Sequence, residues 1–237
     1  MDIHAKQARR ANLKRLLNPR TVALVGGRTL APSIAMLRKA GFGGDIRMVN
    51  PFQREIGGIP CVPTIADLPE APDAAFLSVN RRLTVEAVRS LAARGAGGAV
   101  CFAAGFGEMG EEGKRLQTDL VAAAGDLAVA GPNSNGLLNR LDRLALWPME
   151  DHDPAPLDRG PAIISQSGGI AYAFVRDRRG LAPAVIASTG NQVLLDVADW
   201  LAVLGEDPRV TAIGIFMEGP GDVAALAGAA EVTRRRN

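Results

Sequence analysis

The chain has 237 residues, long enough for one large domain or for two medium ones with a core each, and two are expected. Apolar residues make up 47% but aromatics only 4%, so the core must be packed from Ala, Val and Leu, which suits helices layered on a buried parallel sheet. Lys and Arg number 27 against 25 Asp and Glu, a net +2 with the basic residues scattered, which argues against a nucleic-acid binder, and no apolar run approaches the roughly 18 residues of a membrane span.

Ahead of the first strand, Lys6, Arg9, Arg10, Lys14 and Arg15 mark a solvated amphipathic lead-in helix rather than a targeting peptide. No signal-peptide core precedes the first strand, and a cytoplasmic protein is expected. Thr21-Val22-Ala23-Leu24-Val25 reads as a buried strand ending at Gly26-Gly27, before a helix over 33–40. That turn is not a GxGxxG fingerprint, because Arg28, Thr29, Leu30, Ala31 and Pro32 follow the two glycines. A second strand over 45–49 ends in Asn50-Pro51, so Asn50 stands where a dinucleotide fold would carry an acid for the ribose hydroxyl, which counts against NAD.

Strands over 74–79, 98–102 and 127–130 then alternate with helices over 83–94 and 111–124, the pattern of a doubly wound parallel sheet. Ligands in such sheets sit beyond the carboxyl ends of the strands, here the turns at 26–28, 50–51, 80–82, 103–106 and 131–135. Cys61 and Cys101 form no CxxC pair and have no His beside them, so neither a metal site nor a disulfide is expected, and Cys101 reads as a small buried hydrophobe.

From 131 to 159 periodicity is lost, and Glu150-Asp151-His152-Asp153-Pro154-Ala155-Pro156 reads as a connector. The expected division is a first domain over 1–148, a linker over 149–159 and a second α/β domain over 160–237. The second series opens with a strand over 161–164 that breaks into Ser165-Gln166-Ser167-Gly168-Gly169 before a helix over 170–179. Glycines admit an anion close to the backbone, hydroxyls add donors, and the first helical turn supplies N–H groups and the positive end of its dipole. A strand over 184–188 with Gly190-Asn191, a helix over 195–204, a strand over 210–217 with Glu218-Gly219 and a helix over 222–233 follow. With no strand returning after that helix, the second domain is expected to be incomplete.

Leu17-Asn18-Pro19, Val49-Asn50-Pro51, Ala103-Ala104-Gly105-Phe106, Gly131-Pro132-Asn133, Ser165-Gln166-Ser167-Gly168 and Gly190-Asn191, in that order, resemble the acyl-CoA synthetases that form ADP or GDP, which include the α chain of succinyl-CoA synthetase. The resemblance runs from about Leu17 to the end of the chain, and the ordered set is far more specific than any single turn, each of which could be a plain strand-to-helix connection. It implies a Rossmann-like CoA-binding domain followed by a flavodoxin-like one. It also implies a reaction that couples a carboxylic acid, CoA and a nucleoside triphosphate to an acyl-CoA through an acyl phosphate and a phosphorylated histidine. ATP and Mg are implied only through a separate ATP-grasp domain or subunit, and an oligomer is expected.

Carried over motif by motif, Gly26, Gly27, Arg28, Asn50, Pro51, Val79, Asn80, Ala104, Gly105, Phe106, Gly131, Pro132 and Asn133 would line CoA. Ser165, Gln166, Ser167, Gly168, Gly169, Gly190 and Asn191 would hold the phosphate carried on the histidine, and Glu218 would contact that histidine as the catalytic carboxylate. Glu218 also reads as a simple cap of the next helix, and Arg28, Arg81 and Arg82 read either as solvated loop charges or as contacts for the CoA phosphates.

The departures from the family pattern bear on acyl specificity and activity. The family's histidine loop would lie beyond Asn237, and neither His4 nor His152 is assigned its role. Ser134-Asn135 replace the usual Cys-Leu or Cys-Pro, Leu194 stands where Asp is usual, and the first loop lacks the second family glycine. A serine hydrolase is set aside because Ser165 occupies the first glycine position of GxSxG and no His base is available. A nicotinamide-dependent oxidoreductase fits the first domain's architecture but neither its loop nor Asn50. The reading is the CoA-binding part of an acid–CoA ligase, as a shortened chain or one chain of a split enzyme; the alternative is a non-catalytic CoA- or acyl-CoA-sensing module, as in fusions with protein acetyltransferases.

Overall fold

The computed structural model describes residues 3–149, 154–177, 180–219 and 221–236. Its first elements are helix α1 (Ile3–Leu17), strand β1 (Thr21–Gly26), helix α2 (Ala31–Lys39), strands β2 (Asp45–Val49), β3 (Glu55–Ile56), β4 (Ile59–Val62) and β5 (Ala74–Ser78), helix α3 (Arg81–Ala93), strand β6 (Gly98–Cys101), helix α4 (Gly110–Ala124) and strand β7 (Ala128–Ala130). The apolar runs of β1, β5 and β6 become the central strands, and all six residues of β1 are buried, as a strand covered by helices on both faces requires. The sheet order is β3-β4-β2-β1-β5-β6-β7, with β2, β5, β6 and β7 running parallel in the expected α/β manner. Cys101 is fully buried, and burial pushes its thiol up to about 12.

The β3–β4 hairpin is an addition to the sequence reading. Gly57 and Gly58 adopt φ of +60° and +78° between Ile56 and Ile59, the left-handed pair that a two-residue hairpin turn requires. The helix α1 also departs from the solvated lead-in expected of it. Leu13 and Leu16 are fully buried, and the basic residues are anchored: Arg10 to Asp199 at 2.9 Å, Lys14 to Glu206 at 2.6 Å and Arg15 to Asp73 at 3.0 Å. Leu13, Leu16 and Leu17 form an i, i+3, i+4 stripe confined to the end of a largely polar helix.

The chain continues with strands β8 (Leu137–Asn139), β9 (Leu144–Leu146) and β10 (Gly160–Ser165), helix α5 (Gly168–Arg176), strand β11 (Val185–Ser188), helix α6 (Val197–Leu204), strand β12 (Val210–Phe216) and helix α7 (Val223–Arg236). The second sheet has the order β12-β10-β11-β8-β9; β10, β11 and β12 are parallel, while β8 pairs antiparallel with β11 and β9 with β8. The stretch 131–159 is thus not without regular structure: it holds a hairpin that belongs to the second sheet. Strands of three residues are too short to leave a period of two in the sequence. Residues 150–153 of the expected connector, with His152, and the last two residues of the helix expected over 170–179 lie outside the described residues. Ala155 and Leu157, just after them, are tied back to Arg140: Arg140 Nε donates to the Ala155 carbonyl at 2.6 Å, and Leu157 N to that of Arg140 at 3.2 Å.

A cluster of buried apolar side chains runs from Leu16, Val22 and Phe76 beside the first sheet to Ile164, Trp200 and Val203 beside the second. A separate cluster around Leu77, Leu91 and Leu120 covers the other face of the first sheet. Among the described residues, no helix is long and apolar enough to cross a membrane.

Candidate functional site

In the first sheet, β1 lies between β2 and β5, so the chain leaves β1 toward one side and later returns on the other. The crevice at such a reversal is where open α/β sheets bind ligands. A cleft of about 480 Å³ opens there, and Gly26, Gly27, Asn50, Pro51 and Val79 from the sequence-derived set line it, together with Leu83, Glu86 and Phe52. Gly26 has φ +154°, and a Cβ on it would lie 2.7 Å from the Ser78 carbonyl oxygen, so only glycine lets β1 turn this close to β5.

Asn50 is engaged by the protein at both ends of its amide. Nδ2 donates to the Gly26 carbonyl at 2.8 Å, while Oδ1 accepts from Phe52 N at 2.8 Å and Gln53 N at 2.9 Å. Its role in the structure is to join the turn after β1 to the turn after β2. Asn80 is the N-cap of α3, accepting from Arg82 N and Leu83 N, both at 3.1 Å. Phe52, by contrast, is 90% exposed at the rim.

The turn after β6 is held from two sides. Gly105 (φ +97°) accepts on its carbonyl from Arg81 Nη1 at 2.9 Å, and its N–H donates to Glu108 Oε1 at 2.6 Å. Ala104 sits on this turn with its side chain exposed, whereas Phe106 is fully buried and packs in the core behind it rather than lining the cleft. Arg81 and Arg82 both bond Glu112, at 3.0 and 2.8 Å, and Arg28 Nε donates to Gln53 Oε1 at 3.2 Å. The hydrogen bond from Arg82 and the charge of Arg81 hold the Glu112 carboxyl below its ordinary range.

Gly131, Pro132, Asn133, Gly190 and Asn191, assigned by sequence to two different ligands, meet in one seam. Asn191 N donates to the Pro132 carbonyl at 2.9 Å, Val193 N to that of Gly131 at 3.3 Å, and Asn133 Nδ2 to Asn191 Oδ1 at 3.4 Å. A Cβ on Gly190, which has φ +54°, would lie 2.2 Å from the Pro132 carbonyl oxygen, so the two turns approach to a distance that only glycine permits. Ser134 Oγ donates to the Ser188 carbonyl at 2.6 Å, and Ser188 Oγ accepts from Asn135 N at 3.0 Å. Leu194, where the family pattern has Asp, is buried in the apolar cluster on the far face of the first sheet.

The Ser165–Gly169 stretch lies at the C-terminal edge of the second sheet. Ser165 is fully buried, with its hydroxyl donating to the Ser167 carbonyl at 2.8 Å and its own carbonyl accepting from Thr189 N at 2.8 Å. Ser167 is the N-cap of α5 and accepts from Ile170 N at 3.4 Å, which leaves its own proton available to an incoming acceptor. Gly168 lies against the Asn135 amide, 2.7 Å from where its Cβ would be, and Gly169 follows in the first turn of α5. Gln166 Oε1 accepts from the backbone N–H groups of Glu218 and Gly219, the latter at 3.0 Å, and so fixes the turn after β12, from which the exposed Glu218 side chain projects.

Glu108 was not in the sequence-derived set. Its Oε2 accepts from Asn191 Nδ2 at 2.5 Å, so this one carboxylate reaches from the turn after β6 to the turn after β11. The available signal was an acidic residue three positions after a glycine at a strand's carboxyl end, too common a pattern to single out.

Residues 20–140 match the CoA binding domain family, and residues 159–237 match the succinyl-CoA ligase like flavodoxin domain. The chain is 35% identical over 220 residues to a trans-feruloyl-CoA synthase from an unidentified prokaryote, an alignment covering 87% of this chain and 31% of that protein. It is 33% identical over 231 residues to the ADP-forming acetate–CoA ligase I of Archaeoglobus fulgidus, covering 94% of this chain and 33% of that one. The α subunit of the ADP-forming acetate–CoA ligase II of Pyrococcus furiosus is 29% identical over 215 residues, covering 86% and 46%. Among solved structures, the apo dinucleotide-forming acetyl-coenzyme A synthetase 1 of Ca. Korarchaeum cryptofilum superposes with a TM-score of 0.84 at 29% identity, covering 95% of this chain and 50% of that one. The chain therefore spans between about a third and a half of the length of these relatives. With two adjoining family regions matched over most of its length and the same architecture in a solved relative, the chain belongs to the NDP-forming acyl-CoA synthetases, of which it carries the CoA-binding and flavodoxin-like domains.

Proposed function

We propose that the chain is the CoA-binding part of an acid–CoA ligase that joins a carboxylic acid to CoA at the expense of ATP, with release of ADP and phosphate. The observation that carries this reading is the cleft of about 480 Å³ at the strand reversal, which Gly26, Gly27, Asn50, Pro51 and Val79 line together. Gly26 and Gly27 admit the ligand close to the backbone, and Asn50 ties the two turns together through its bonds to Gly26, Phe52 and Gln53. At the second sheet, the Ser167 hydroxyl and the first turn of α5 are suited to a phosphoryl group. Glu218 stands at the mouth of β12 beside them, its backbone anchored by Gln166, where a carboxylate can orient an imidazole presented from outside this chain.

In this reading ATP and Mg enter through an ATP-grasp domain or subunit, the phosphoryl group passes through a phosphohistidine and an acyl phosphate, and the protein works as an oligomer in the cytoplasm. The ligase is favoured over a sensing module because the relatives named above are CoA ligases or synthases. Titration calorimetry of the chain with CoA and with NAD tests the assignment. Heat of binding with CoA and none with NAD is expected, and the reverse result overturns it.

A further inference from the structure

Gly105 is the point where the cleft and the seam connect. The cleft is walled by Val79 and Leu83, which flank the start of α3; Arg81, in the first turn of α3, bonds the Gly105 carbonyl; Glu108 takes the Gly105 N–H with one oxygen and the Asn191 amide with the other. Asn191 in turn bonds Pro132 and Asn133. A continuous set of hydrogen bonds therefore runs from the α3 wall of the cleft to the turn after β11, across 83 residues of sequence at the Glu108–Asn191 step.

Nothing in the packing demands a carboxylate at position 108, since the side chain is exposed. Two oxygens, each accepting one N–H, are what the geometry uses. A glutamine would present its NH2 to a donor at one end, and an aspartate is one methylene shorter. Partial burial lifts the Glu108 carboxyl, but hydrogen bonds from Gly105, its own N–H, Asn191 and Phe106 outweigh it and hold the group below its ordinary range, as a charge-assisted link requires. Asn133 and Gln192, on either side of the seam, hold φ of +60° and +54°, in the left-handed region that non-glycine residues seldom occupy.

We propose that Glu108 is a positioning residue that ties the CoA-side turn after β6 to the phosphate-side turn at Gly190-Asn191, so that filling the cleft is felt at the phosphate cradle. This role rests on the CoA reading above. It is tested on the chain itself by following backbone and side-chain amide resonances during a CoA titration. In the wild-type chain the Gly26 and Gly27 signals and those of Gly190 and the Asn191 side chain should shift together along one binding curve. Glu108→Ala should keep the shifts at Gly26 and Gly27, with the CoA dissociation constant within about twofold because the residue is exposed, and lose those at Asn191. The double variant Glu108→Gln with Asn191→Asp exchanges donor and acceptor and should restore the response, read at the backbone amides of Gly190 and residue 191. If Glu108→Ala does not fold, Glu108→Gln keeps the acceptor for Gly105 and severs only the Asn191 link, with the same expected loss. CoA that saturates Gly26 and Gly27 in the wild type without moving Asn191, or an Asn191 shift undiminished in the single variants, overturns the positioning role while leaving the CoA reading intact. Absence of any CoA shift at Gly26 and Gly27 overturns the CoA reading and this role with it.

Discussion

Asn50 shows why an amide and not an acid ends β2. Its Nδ2 donates to the carbonyl of Gly26, so a carboxylate there would face a carbonyl oxygen across the 2.8 Å now occupied by a hydrogen bond. Asn50→Asp, which superficially restores a ribose-binding acid, should therefore destabilise the chain by about 1–3 kcal/mol and weaken CoA binding without creating NAD binding. Chemical denaturation and calorimetry with both ligands check this; a gain of NAD affinity would show that the position, not the bond, is what matters. At Glu108 the carboxyl is held below its ordinary range, so its links to Gly105 and Asn191 are in place above the unfolded-state value and are lost as pH falls through the lower folded-state value. The Asn191 side-chain amide should accordingly titrate with a midpoint below that of an ordinary glutamate, and Glu108→Gln should abolish the transition.

At the scale of elements, α1 is a structural member that reaches both sheets. It packs Leu13 and Leu16 into the shared apolar cluster and places Arg15 on Asp73 beside the first sheet and Arg10 on Asp199 of α6 beside the second. The ion pairs are at least partly solvated on the Arg side and contribute little individually; the leucines carry the attachment. Leu16→Ala should cost about 2–5 kcal/mol and lower the Tm by roughly 5–15 °C, whereas Lys14→Ala, which breaks only the exposed pair with Glu206, should stay within about 0.5 kcal/mol. Thermal melts of the two variants distinguish a docked helix from a solvated one, since equal small effects would mean that α1 detaches freely.

For the whole molecule, the shared cluster from Leu16 and Phe76 to Trp200 and Val203 means that neither sheet can expose its inner face without exposing the other's. The β8–β9 hairpin strengthens this link, because it follows directly from the seam at Gly131-Pro132-Asn133 and hydrogen-bonds to β11. Ser33 of α2 adds a buried bond to the Trp147 carbonyl at 2.9 Å, just beyond β9. Denaturation should therefore follow one transition, with Trp147 and Trp200 fluorescence tracking far-UV circular dichroism at the same midpoint. Two separated transitions would show that the sheets unfold as independent units.

The sequence by itself determined the elements whose cause is local. The buried run 21–25, the strand over 45–49 and the Ser165–Gly169 turn each announce themselves within a few residues, through an apolar run, through Ile46, Met48 and Val49 ahead of Asn50-Pro51, or through glycine and hydroxyl turn chemistry. Gly26 and Asn50 were legible as strand-end turn residues for the same reason, and both line the cleft. Tertiary structure alone decided which sheet the three-residue strands β8 and β9 join, that α1 docks through Leu13 and Leu16, that Phe106 faces the core, that the amide of Asn50 is consumed by its own chain, and that Glu108 meets Asn191. Those contacts join residues tens of positions apart, and no neighbour-to-neighbour pattern records them. They follow from how two sheets close over one core, which is fixed only when the whole chain has been packed.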